Sequence, residues 1–154
     1  MAPQQPPFLA LSRRLDAPLP VLVWPSGFSR APLSAALAPA LHALLQRAYA
    51  NGGGSVVPDW LDWWEWLAGD AEFDPALCFI AMADAAPAGF CLCWSSGFVK
   101  DLVVDAPHRQ RGLGATLLAE ALQAFRARGL ATARLKVEAG NHAARRLYAR
   151  MGFS

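Results

Sequence analysis

The chain has 154 residues, 55% of them apolar and only 17% charged, a composition that favours a compact globule with a core over disorder. Its 14 basic and 12 acidic residues leave a net charge of +2, too small and too dispersed for a protein whose main task is to bind nucleic acid. No apolar run reaches the length of a membrane span, and the N-terminus places prolines and a short apolar stretch before Arg13-Arg14, the reverse of a secretory signal; a cytoplasmic protein with no membrane partner is expected.

Residues 1–20 are Pro-rich and read as an irregular arm, with residues 21–154 forming a single domain. "PVLVWP" (Pro20 to Pro25) reads as a short strand bounded by prolines. Leu37, Leu41, Leu44, Leu45 and Ala48 recur at helical spacing and predict a helix from about Pro32 to Ala50. The loop "NGGGS" (Asn51 to Ser55) ends it, and three consecutive glycines mark that loop as mobile. Pro58-Asp59 opens a second helix with Asp59 as N-cap. In it Trp60, Leu61, Trp64, Leu67 and Ala68 form an apolar stripe, with Trp63 and Trp66 outside. Those two tryptophans either pack on a neighbouring helix or a second copy, or wall a pocket for an apolar or cationic acceptor.

Three strand-like runs follow: Ala76 to Ala83, Gly89 to Ser96 and Phe98 to Asp105. Their short connections imply an antiparallel meander. The period then changes to 3.6, with Leu113, Leu117, Leu118, Ala121, Leu122 and Phe125 on one stripe, and Gly129 ends this helix. "ATARLKVEAG" is a further strand with Ala133, Leu135 and Val137 on one face. Asn141 caps a last helix in which Ala144, Leu147, Tyr148 and Met151 share a face. The fold class is a mixed α/β (α+β) domain: a mostly antiparallel sheet flanked by helices, ending in a βαβα unit. Cys78, Cys91 and Cys93 fit no disulfide framework and no zinc spacing, and each lies in an apolar run, so reduced buried thiols and no metal are expected.

The chemistry lies in "HRQRGLG" (His108 to Gly114), a loop from strand to helix. The first turn of a helix has unpaired N–H groups and the positive end of the dipole. Gly112 and Gly114 let an anion approach the backbone, and Arg109 and Arg111 add charge. A triphosphate loop would need a Lys and a Ser or Thr after the last glycine, whereas Ala115 and Thr116 stand there. A dinucleotide loop would need a glycine where Leu117 stands. Coenzyme A, which also carries a pyrophosphate, is the third candidate, and a plain glycine turn with solvated arginines stays open on the loop alone.

"LVVDAPHRQRGLGATLL" resembles motif A of the GNAT family of N-acetyltransferases, with Arg109, Gly112 and Gly114 at the family's positions. Downstream, Leu135, Val137, Asn141, Ala144, Leu147, Tyr148, Gly152 and Phe153 are similar to the family's next motif. The resemblance covers Phe98 to Phe153. It implies acetyl-CoA as cosubstrate, without a metal, and a small-molecule or peptide primary amine as acceptor. It implies that the backbone amides of Gln110, Arg111, Gly112, Leu113, Gly114 and Ala115 hold the pyrophosphate. The pantetheine arm would pair with Leu102, Val103 and Val104, with Asn141 close to it. An N–H of Val103 or Val104 would meet the oxyanion, and Tyr148 would be the acid for the leaving thiolate.

Two departures from the family stand out. Many members carry a Glu where this chain has Lys100, a poor base. Asp101, expected on the opposite face of the strand, becomes the first candidate to contact the acceptor ammonium, or else an ion-pair partner of Lys100 or an arginine. Glu138, Asp59, Asp62 and Glu65 are lesser candidates. The family also has one or two strands after the "GF" dipeptide, here Gly152-Phe153, so C-terminal strands are expected to be missing and an uncovered edge to invite a homodimer. Lys100 and that missing tail favour a second reading, a non-catalytic acyl-CoA-binding domain; Tyr148 and a lid in "NGGGS" favour catalysis. Assembly through the Trp-rich helix is a third reading.

Overall fold

The computed structural model describes residues 7–154. The strands are β1 (Phe8–Arg14), β2 (Ser29–Ala31), β3 (Phe73–Ala83), β4 (Ala86–Trp94), β5 (Phe98–Val104) and β6 (Thr132–Glu138). The helices are α1 (Ala38–Ala48), α2 (Trp60–Ala68), α3 (Leu113–Ala127) and α4 (His142–Arg150). The strands form one six-stranded sheet in the order β1-β6-β5-β4-β3-β2. Every neighbour is antiparallel except β5 and β6. The expected meander is β3 to β5.

The core has one layer on each face of the sheet. On one face α3 and α4 bury Leu117, Leu122, Phe125, Tyr148 and Met151 against Cys91, Val99 and Leu135. On the other, α1 and α2 bury Leu41, Leu45, Trp63 and Leu67 against Ile80, Phe90, Leu92 and Val103. Helix α1 starts at Ala38, later than its apolar period predicts, because Pro39 has no N–H and fits only the first turn. One 3-10 turn, Ala35–Leu37, precedes it.

Three expectations need correction. The arm over residues 1–20 is not irregular throughout: Phe8 to Arg14 is β1, paired along its length with β6 (residues 1–6 lie outside the described residues). Leu9 and Leu11 turn inward, and Arg13 is buried with them. Its Nη1 donates to Met151 O at 2.8 Å, and its Nη2 to Pro18 O at 3.2 Å. A buried cation is thus satisfied by carbonyl dipoles, one at the C-terminal end of α4 and the others just after β1. Gly152 beside it is left-handed at φ +88°, which favours glycine, and a Cβ there would meet Arg13 Nη1 at 2.9 Å and shift the guanidinium. The expected bare edge is not on β6, because β1 covers it. Ser154 pairs with Ser12 on the far side of β1, N to O at 3.0 Å in both directions.

Second, Pro20 to Pro25 is extended but belongs to no sheet. Its alternation is real, with Leu22 and Trp24 inward and Val21 and Val23 outward. Its partner, however, is a helix: Thr116 Oγ1 donates to Val23 O at 2.7 Å, and Trp24 Nε1 donates to Glu120 Oε1 at 3.1 Å. Third, the buried stripe of α2 runs through Trp63 and Leu67, while Trp60 and Leu61 are exposed. Trp63 is 2% exposed and meets Phe90 edge-on at 6.4 Å. A helix with tryptophan on several faces offers two apolar stripes, and period alone does not choose between them.

Candidate active site

The loop before α3 is built for an anion. Gln110 and Gly112 are both left-handed, at φ +63° and +82°. Alternating left-handed residues gather successive N–H groups into a concavity. Among the described residues, no N–H from Gln110 to Ala115 donates to a protein acceptor; the first that does is Thr116, to Gly112 O at 3.1 Å. Those free donors open onto a cavity of about 380 Å³ lined by Arg109, Gln110, Gly114, Ala144, Leu147 and Arg150. Arg109 Nε donates to Val104 O at 3.0 Å, folding the side chain over the end of β5. Arg111 lines neither this cavity nor the next, so only its backbone belongs to the loop's concavity.

That cavity continues into a cleft of about 350 Å³ through the shared residues Val104, Arg109, Ala143 and Ala144. The cleft exists because β5 and β6 are parallel for only two register pairs, Phe98 with Arg134 and Val99 with Leu135, and then part. Asp105 N donates to Ala88 O on β4 at 2.8 Å. By strand alternation, Val103 and Asp101 also turn their backbone groups to β4, and Leu102 and Val104 turn theirs to the cleft. Val103 lines the cleft, but its N–H is not free for an oxyanion; Leu102 and Val104 supply the open edge. Asn141 lines the cleft and caps α4, its Oδ1 accepting from Ala144 N at 3.2 Å.

Tyr148 reaches the same cleft from α4, packed edge-on against Phe153 at 6.0 Å. Burial, with smaller contributions from Cys91 and Asp101, pushes its phenol up to about 12. The hydroxyl is therefore protonated at neutral pH, and among the described residues it makes no hydrogen bond to the protein.

Lys100 and Asp101 mark the far wall. Their strand is bulged there: Leu92 pairs with Asp101, Cys93 pairs with Val99, and Lys100 has no partner. The bulge defeats strict alternation, so the two side chains meet instead of facing apart. Lys100 Nζ lies 3.6 Å from Asp101 Oδ2. Asp101 is buried, and its Oδ1 accepts from Tyr49 Oη at 2.5 Å. Tyr49 carries no sequence signal; it follows α1 and reaches Asp101 because Arg47 clamps Asp105 at the end of β5, at 3.0 and 3.2 Å. Burial and the Asp101 charge push the Tyr49 phenol far up. Lys100 and Asp101 also line a third cavity, about 250 Å³, closed by Trp63, Trp66 and the Ser55–Val57 segment. His42 holds that segment by donating from Nε2 to Val57 O at 2.7 Å.

The "NGGGS" loop lies beside the cleft, with Gly53 N donating to Glu138 Oε1 at 3.1 Å. Of the lesser acidic candidates, Glu138 lines the cleft and Asp59 caps α2 through Asp62 N. Asp62 and Glu65 are exposed and line no cavity here. The three cysteines are free and buried, and burial pushes the Cys78 and Cys93 thiols up, away from nucleophilic thiolate. Among the described residues no group of metal-binding side chains occurs, and no helix is long and apolar enough to cross a membrane.

These burials predict alkaline sensitivity. Cys78 is raised from 9.0 to about 12 by burial, and Tyr148 from 10.0 to about 12. Each folded pKa exceeds the unfolded one, so the folded state holds its protons more tightly. The stabilisation is complete below pH 9 and is lost as pH rises toward 12, about 3 to 4 kcal/mol per group. The melting temperature should fall by on the order of 10 °C across that window; a flat profile would contradict the burial of both groups.

Comparison with known proteins fits this geometry. Residues 38–153 match the model of the "Acetyltransferase (GNAT) family". The chain is 33% identical over 86 residues to the N-alpha-acetyltransferase MAK3 of Arabidopsis thaliana, covering 51% of this chain and 45% of that one. It is 36% identical over 92 residues to the mycothiol acetyltransferase of Beutenbergia cavernae, covering 56% and 31%. The match thus spans less than half the length of either relative. A GCN5-related N-acetyltransferase from Sphaerobacter thermophilus superposes with a TM-score of 0.80 at 24% identity, over 96% of this chain and 47% of that one. The ribosomal-protein-S18-alanine N-acetyltransferase of Escherichia coli superposes at 0.64 with 22% identity, over 81% and 76%. With its sheet parting above a loop of free amides, and with the family model matching most of its length, the chain belongs to the GNAT acetyltransferase family.

Proposed function

We propose that this protein transfers an acetyl group from acetyl-CoA to a primary amine by direct attack. The observation that carries the reading is the unbroken path from the six free N–H groups of residues 110–115, along the open edge of β5, to Tyr148, Lys100 and Asp101. The amides and the positive end of α3 hold the pyrophosphate. Leu102 and Val104 pair with the pantetheine amides as a strand edge would. When bound, acetyl-CoA supplies the thioester carbonyl; the N–H of Leu102 or Val104 would stabilise its oxygen as charge develops.

Asp101 accepts hydrogen bonds from the acceptor ammonium, with Tyr49 holding the carboxylate in position. One ammonium proton leaves to solvent, the C–N bond forms and the C–S bond breaks. Tyr148 protonates the departing thiolate and is restored by the second proton released from the nitrogen. The test is amine-dependent release of the coenzyme thiol, with acetylated product identified by mass. The cation at Lys100, where a base is needed, favours a second reading as a non-catalytic acyl-CoA-binding domain. Tight acetyl-CoA binding without thiol release from any amine would establish it and sink the transferase.

A further inference from the structure

The third cavity carries chemistry that acetyl transfer to an unspecified amine does not use. Lys100 is shared between it and the donor cleft, so whatever occupies it lies beside the reacting carbonyl. Asp101 offers a buried carboxylate. Lys100 offers a cation 3.6 Å from Asp101 Oδ2, beyond good hydrogen-bond range. Among the described residues the ammonium makes no hydrogen bond, so its three donors are available. Trp66 is 50% exposed, and its ring centroid is 6.0 Å from Lys100 Nζ.

Charge balance selects the ligand. The Lys100–Asp101 pair is neutral. A ligand with only an ammonium would crowd two cations around one buried carboxylate, whose single charge can match only one of them. A ligand carrying a carboxylate beside its amine exchanges partners with the pair and leaves no charge unmatched. We propose that this pocket takes a small zwitterionic amine of the free amino acid class, ammonium on Asp101, carboxylate on Lys100, and an apolar or aromatic body against Trp66. A volume of about 250 Å³ suits one such residue. As an acceptor assignment the proposal rests on the transferase reading; as a binding assignment it does not.

The test uses the full chain loaded with free coenzyme A. Phenylalanine, tryptophan and leucine are each titrated by calorimetry beside their carboxamides and decarboxylated amines, and the same compounds are assayed with acetyl-CoA. The free amino acid should bind at least 10-fold tighter than its two analogues. Lys100→Met should erase that ratio, Lys100→Arg should keep it, and thermal melting checks that both variants fold. Equal or tighter binding of the amide or the decarboxylated amine, or no binding of any compound, overturns the assignment. Selective binding of the amino acid without acetylated product supports the pocket and overturns the transferase reading. Faster acetylation of the decarboxylated amines does the reverse.

Discussion

The Gly112→Glu variant should lose acetyl-CoA, with the dissociation constant rising at least 100-fold, about 3 kcal/mol. Three effects add. Gly112 is left-handed at φ +82°, and a residue with a Cβ costs roughly 1–2 kcal/mol there. In the proposed complex the new carboxylate would stand beside the pyrophosphate and repel it. It also competes for the free amides at the start of α3, because an anion at a helix N-terminus is stabilised whether it is ligand or side chain. Gly112→Ala separates these effects. A Cβ at this glycine would meet no heavy atom within 4 Å, so alanine brings only the backbone strain and should weaken binding by no more than roughly 30-fold. Calorimetric titration with acetyl-CoA decides it. If Gly112→Glu binds as the wild type does, the pyrophosphate is not held at this loop.

Tyr148→Phe should lower kcat by about 100-fold or more while leaving the affinity for acetyl-CoA unchanged, the usual signature of a lost general acid. The phenol is an acid that stays protonated: burial lifts it to about 12. The wild-type rate should therefore show no decline attributable to Tyr148 until pH approaches that value. Removing one oxygen from a side chain that makes no hydrogen bond to the described protein should leave packing against Phe153 in place. A Tyr148→Phe variant within twofold of the wild-type kcat would make Tyr148 a packing residue, and the thiolate would leave unassisted or take its proton from water.

How much of this is legible in the sequence follows from how local each signal is. The meander, α3, β6 and α4 are written in strong periods and short connections, and the Asn141 cap and the glycine loop are local devices, so both are readable. β1 is hidden by the prolines around it, and because its partner, β6, is remote in the chain. The strap at Pro20 to Pro25 shows the correct alternation, but alternation reports which residues face inward and not whether a sheet or a helix receives them. The α2 stripe is misread from the apolar residues alone because they surround most of the helix, and only Asp62 and Glu65 mark its exposed side. At the site, Asp101 stands out in the sequence but its relation to Lys100 does not: a bulge is one unpaired residue, and nothing in "FVKDLVV" marks it. Tyr49 escapes a sequence reading because a residue at a helix end acquires its role only when the Arg47–Asp105 clamp and the buried Asp101 are brought to it in three dimensions.

The closure of the sheet by β1 has a consequence for how the chain is made. Arg13 reaches Met151 O across 138 positions of sequence, and β1 pairs along its whole length with β6. On a ribosome adding about 5–20 residues per second, β1 waits roughly 6 to 25 seconds for β6 to be made. Until then Leu9 and Leu11 are without their pocket and the flank of β6 is not yet protected. β1 thus docks long after it is made, a long-range closure of the kind that slows folding. During that interval an N-terminal segment held elsewhere, by a chaperone or by another nascent chain, would delay completion of the very layer from which Tyr148 enters the cleft.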